Sequence, residues 1–84
     1  MEIKDISKIA KEKLVELTGF TSPNVIGIDK KEDEWHITVE IIEKPSEAVN
    51  LELLGIYDVQ VDTSGKLLGY ERIMMRKRGD IHNA

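Results

Sequence analysis

Cysteine is absent from these 84 residues. That excludes disulfide staples, thiolate metal sites and cysteine nucleophiles. The two histidines, His36 and His82, lie too far apart to form a metal-binding pair of the H-x-x-x-H kind. No apolar run approaches the roughly 20 residues needed to span a bilayer, and residues 1–5 do not read as the start of a signal peptide. Glycines are scattered, and none forms a G-x-G-x-x-G or G-x-x-x-x-G-K phosphate cradle. Aromatics are few, with one Trp, two Tyr and one Phe. A chain this short buries only roughly 60% of its unfolded surface, which leaves little room for an enclosed reaction pocket. These absences point to one soluble, cytoplasmic domain spanning residues 1–84, with no catalytic, cofactor or metal site.

What remains is patterned charge and apolar periodicity. The chain is 40% hydrophobic and 33% charged, with a formal net charge of -4. All of that net charge lies in residues 1–43, which hold 6 basic and 10 acidic residues; residues 44–84 hold 6 of each. Arg72, Arg76, Lys77 and Arg78 follow one another with no acid between them, so an acidic end and a basic tip are expected.

Residues 3–18 carry Ile3, Ile6, Ala10, Leu14 and Leu17 at three- and four-residue steps, the period of an amphipathic helix. Gly19 suits a left-handed C-terminal cap, and Ser22-Pro23 stops the helix from resuming. Residues 24–30 read as a first strand. Residues 35–43 alternate cleanly, with Trp35, Ile37, Val39 and Ile41 on one face and His36, Thr38 and Glu40 on the other. After Lys44-Pro45-Ser46 an irregular connector follows, with one helical turn through Ala48 to Leu51. Residues 55–62 and 66–77 are the third and fourth strands, joined by Asp62-Thr63-Ser64-Gly65 with Gly65 at positive φ. Residues 79–84 read as a frayed tail. The predicted fold is α+β: one N-terminal helix packed on a four-stranded antiparallel sheet, in the order helix, hairpin, hairpin.

His36 alternates with the core residues of its strand and is expected on the open face in a structural role, because no orienting partner or nucleophile is apparent beside it. His82 falls in the tail. Asp29, Glu32, Asp33 and Glu34 lack the spaced ligands and glycine of a calcium loop and read as a solvated hairpin tip. Glu40 and Glu43 are three apart on a strand, hence on opposite faces, which argues against a paired acid and base. Trp35 reads as a packing anchor with a half-exposed ring.

The last strand is the most informative. By alternation Tyr70, Arg72, Met74 and Arg76 share one face, while Glu71, Ile73, Met75 and Lys77 share the other. The Ile73/Met75 side is expected to meet the core. Tyr70, Arg72 and Arg76, extended by Arg78, then form an aromatic–basic stripe on the open side. Such a stripe fits a protein partner first, a solubilising role for an edge strand second, and nucleic acid third, since the acidic first half repels phosphate.

Read in order, Leu17-Thr18-Gly19, Val25-Ile26-Gly27 and Glu34-Trp35-His36-Ile37-Thr38-Val39-Glu40-Ile41 resemble the gas vesicle protein O family. The later stretches Leu54-Gly55-Ile56-Tyr57-Asp58-Val59-Gln60-Val61-Asp62 and Ser64-Gly65-Lys66-Leu67-Leu68-Gly69-Tyr70-Glu71-Arg72 extend the resemblance over residues 8–78. The resemblance implies a non-enzymatic accessory protein for gas vesicle assembly or its regulation, without cofactors. It also implies partners among other gas vesicle proteins, shell or accessory, and a location in the cytoplasm or at the vesicle. Tyr70, Arg72 and Arg76 match the family's basic last strand and become, with Arg78, the interface candidates. A small nucleic-acid-binding regulator is the alternative. Edge strands on both sides of the sheet leave homodimerisation open.

Overall fold

The computed structural model describes residues 2–47 and 51–77. Helix α1 spans Ile3–Thr18, followed by strands β1 (Thr21–Lys31), β2 (Glu34–Lys44), β3 (Leu53–Asp62) and β4 (Leu67–Lys77). The strands pair antiparallel in the order β1-β2-β3-β4, giving one open sheet with the helix on one face. This is the α+β architecture that the periodicities predict.

Local chemistry sets each boundary. At the start of α1 the Glu2 N–H donates to the Asp5 carboxylate at 3.1 Å, satisfying a donor the helix itself leaves open. At its end Gly19 adopts φ 77°, and its N–H closes on the Val15 carbonyl at 2.8 Å. β1 begins at Thr21, three residues earlier than the sequence suggests. A register shift between Thr21 and Asn24 lets Ser22 take positive φ and places Pro23 on an edge strand. In the β3–β4 turn Gly65 takes φ 90°, and the Asp62 carboxylate accepts from the Ser64 N–H, the Ser64 hydroxyl and the Lys66 N–H. Leu51 has a helical backbone; the remainder of the turn expected there, Ala48 to Asn50, lies outside the described residues, as does the tail 79–84 with His82.

The core lies between α1 and the sheet. Ile6, Ala10 and Leu14 meet Ile37, Val39 and Ile41 of β2 and Tyr57, Val59 and Val61 of β3, all buried. Phe20, Val25, Ile28 and Leu67 pack around them. Trp35 packs against the same cluster half-buried, with the Lys30 ammonium 5.5 Å from its ring centre, a cation–π contact. Ile3 and Leu17, expected on the buried stripe, are 57% and 47% exposed because they sit at the two ends of the helix. The helix touches β1, β2 and β3 more than β4, so the far edge of the sheet is left uncovered.

The Asp62 turn carries a pH signature. Backbone donation from Lys66 and the Ser64 contacts hold its carboxyl below the ordinary value of 3.8. A depressed folded value means the stabilisation is fully present above the unfolded value and disappears as pH falls through the folded one. Asp62→Ala is therefore expected to lower the thermal midpoint at neutral pH. The difference from the parent protein should vanish in strong acid, as a pH series of thermal melts will show.

Candidate functional site

β4 is an edge strand, and two arginine–glutamate bridges tie it across β3 to β2. Arg72 donates from Nε and Nη2 to the two carboxylate oxygens of Glu43, at 3.0 and 2.8 Å. Arg76 donates from the same two nitrogens to one oxygen of Glu40, at 3.0 and 2.6 Å. Register assigns the bridges to opposite faces. Arg72 stands opposite Tyr57, a helix-side residue. Arg76 stands opposite Leu54 and reaches Glu40, which stands opposite Ile56. Leu54 and Ile56 project from the side away from the helix and are nonetheless buried, 1% and 9% exposed. The Arg76–Glu40 bridge crossing over them accounts for cover that no helix supplies there.

Simple alternation therefore fails on β4. A register shift pairs Tyr57 with Arg72 but Ile56 with Met74, leaving Ile73 as the extra residue of a bulge. Tyr70 and Arg72 consequently lie on the helix side, while Met74 and Arg76 lie on the open side. The single-faced stripe of Tyr70, Arg72 and Arg76 does not form. Nor do Ile73 and Met75 meet the core: they are 55% and 41% exposed, since α1 does not extend over this end of β4. Arg78 lies outside the described residues. The sequence carried no sign of the bulge, whereas the glutamates that pair with the arginines were visible as Glu40 and Glu43 on opposite faces.

Beyond the reach of α1, the helix face ends in a polar cluster. The Glu43 side chain is 7% exposed; besides Arg72 it accepts the Tyr57 hydroxyl at 2.8 Å. Tyr70 lies beside Tyr57 with ring centroids 6.2 Å apart. Gly55 lies directly beneath: a Cβ there would stand 1.9 Å from a Glu43 carboxylate oxygen and 2.9 Å from the Tyr57 ring. Burial, then the hydrogen bond to Glu43, pushes the Tyr57 hydroxyl above its ordinary value of 10.0. The Tyr57 hydroxyl and then Glu43 raise Arg72 in turn.

The open face carries a second polar group. His36 Nδ1 lies 3.2 Å from Asp58 and its Nε2 3.2 Å from Glu34, while Gln60 donates to the same Asp58 oxygen at 2.7 Å. The sequence placed His36 on this face but missed the carboxylates, which come from its own strand and from β3. Carboxylates facing both ring nitrogens fix the orientation of the imidazole. Among the described residues, no group of three or more His, Asp or Glu side chains is placed to hold a metal ion.

The outer side of β4 carries exposed apolar side chains. Ile73, Met74 and Met75 are consecutive and exposed, and Leu68 and Tyr70 continue the exposed apolar surface along the strand. A groove of about 390 Å³ adjoins the strand's end, lined by Pro45, Leu51, Leu53 and Lys77 among others. Among the described residues no helix is long and apolar enough to cross a membrane.

The family model of gas vesicle synthesis protein GvpO matches residues 1–82. Gas vesicle protein O of Streptomyces sp. (strain CB03234) is 36% identical over 66 residues, 79% of this chain and 52% of the relative. Gas vesicle protein O of Haloferax mediterranei is 28% identical over 80 residues, 94% of this chain and 57% of the relative. Gas vesicle protein O1 of Halobacterium salinarum is 25% identical over 72 residues, 86% of this chain and 60% of the relative. The chain thus spans little more than half the length of these relatives. No solved structure matches it significantly.

Two outcomes test the Glu43 cluster. Gly55→Ala should cost about 1–3 kcal/mol in urea unfolding, as overpacking does. Combined with Glu43→Ala the losses should be less than additive, because the closest clash is with Glu43. The raised Tyr57 hydroxyl gives stability that is fully present below its unfolded value near 10.0 and falls as pH rises through the folded one. Tyr57→Phe should flatten the alkaline limb of a stability–pH profile.

Proposed function

Because the chain belongs to the gas vesicle synthesis protein GvpO family, we propose that it serves vesicle formation as a non-enzymatic accessory protein, acting in the cytoplasm through contacts with other gas vesicle proteins, shell or accessory. The contact surface in this reading is the β4 edge. The observation that carries it is the run Ile73-Met74-Met75, three consecutive exposed apolar residues on an edge strand that α1 leaves uncovered. Edge strands with exposed apolar side chains are pairing surfaces unless something blunts them. Tyr70 and the outward sides of Arg72 and Arg76 frame that run, supplying the aromatic and arginine contacts that dominate protein interfaces.

A nucleic-acid role finds less support. Arg72 and Arg76, which would have to neutralise phosphates, each face an internal glutamate at hydrogen-bond distance. The chain as a whole is acidic.

Capture of the tagged protein from a vesicle-forming host, after nuclease treatment, tests the reading. The parent chain should retain gas vesicle proteins. Ile73→Glu should reduce that recovery about tenfold, the loss of a central apolar contact, with an unchanged far-ultraviolet spectrum. Equal recovery by both chains would overturn the assignment of the surface.

A further inference from the structure

Among the described residues the sheet has two unpaired edges, and they differ. The β1 edge is broken by Pro23 and by two register shifts, at Ser22–Pro23 and at Ile26. The β4 edge also has two shifts, at Leu68 and at Ile73, but it carries no proline and runs regularly over residues 70–72 and 74–77. We propose that two copies of this chain join antiparallel through their β4 edges into one eight-stranded sheet. This rests on the reading of β4 as the contact surface and identifies its first partner as a second copy.

The argument is self-complementarity. A two-fold axis between Ile73 and Met74, perpendicular to the sheet, sets Ile73 opposite Met74, Arg72 opposite Met75, Glu71 opposite Arg76 and Tyr70 opposite Lys77. Cross-strand partners must share a face, and the bulge makes them do so. Glu71 and Arg76 both lie on the open side, opposite Asp58 and Leu54 within their own sheet. Arg72 and Met75 both lie on the helix side, opposite Tyr57 and Gly55. An axis through Ile73 or through Met74 brings opposite faces together. An axis between Met74 and Met75 sets Arg72 against Lys77, and one between Arg72 and Ile73 sets Glu71 against Met74.

Only the register centred between Ile73 and Met74 both matches faces and pairs charges, and it does so twice by symmetry. It also covers the exposed run Ile73-Met74-Met75. Arg76 has five N–H groups, of which Glu40 takes two. That guanidinium lies across β3 on its way to Glu40, so pairing with the Glu71 of the second copy turns the Arg76 side chain outward from that glutamate.

Sedimentation equilibrium of the full chain across the micromolar range tests this. The expected result is a mass twice the 9.6 kDa of one chain. Glu71→Arg should weaken association about tenfold, since like charges then stand opposite at two symmetric places. Arg76→Glu alone should weaken it similarly. Mixing the two variants should restore a dimer, because two arginines of one chain then meet two acids of the other. A monomer at all concentrations, or a dimer that neither variant disturbs, overturns the inference. The contact reading fails separately: if Ile73→Glu abolishes capture of vesicle proteins while the parent chain is monomeric, that reading stands and the dimer falls. If the charge-swapped pair behaves as expected while capture is indifferent to Ile73→Glu, the dimer stands and the other falls.

Discussion

One helix has to cover one face of a four-stranded sheet, and it is too short to do so. The 16 residues of α1 give a rod of about 24 Å at 1.5 Å per residue. Strands of 10 or 11 residues run about 33–36 Å. Where α1 lies, the face is apolar: Ile37, Val39, Ile41, Val59 and Val61 are fully buried. Where it ends, the same face turns polar, and Glu43, Tyr57 and Arg72 satisfy one another's hydrogen bonds in place of an apolar neighbour. Gly55 belongs to this arrangement, since only the absence of a side chain leaves room for the Glu43 carboxylate.

The same shortage of cover shapes β4. Its attachment to the sheet is reinforced by two long side chains that cross β3, one on each face, and end on glutamates of β2. On the open face the bridge lies over Leu54 and Ile56 and excludes water from residues that would otherwise be half wet. The inner side of the strand is thereby committed, while the outer side keeps its apolar residues. An edge held in place yet left unpaired is suited to adding another strand, the mode in which backbone pairing gives affinity and alternate side chains give register.

Much of the fold was legible before any coordinates. The helix spans the residues that its period marks, and Gly19 and Gly65 take the positive φ that their places in a cap and a turn require. The alternation of Trp35 to Ile41 and of Tyr57 to Val61 sorted core from open face correctly, because both strands are central and one face of each is sealed by α1. The order and spacing of short motifs marked the family, which a match over residues 1–82 bears out.

The candidate surface was legible only in composition. Tyr70, Arg72, Ile73, Met74 and Arg76 could be named from the chain, but not sorted between faces. A bulge adds one residue to one strand without any mark in local sequence, and every side chain beyond it changes sides. Equally, residues 29 and 36 apart in the chain had to be brought together before Glu43 and Glu40 could be seen to neutralise the two arginines. The sequence by itself determined the elements, their order and the sealed face, since those follow from periods read within a few residues. Tertiary structure decided which side of β4 faces outward and which charges are free, since both depend on register across strands that the chain visits far apart.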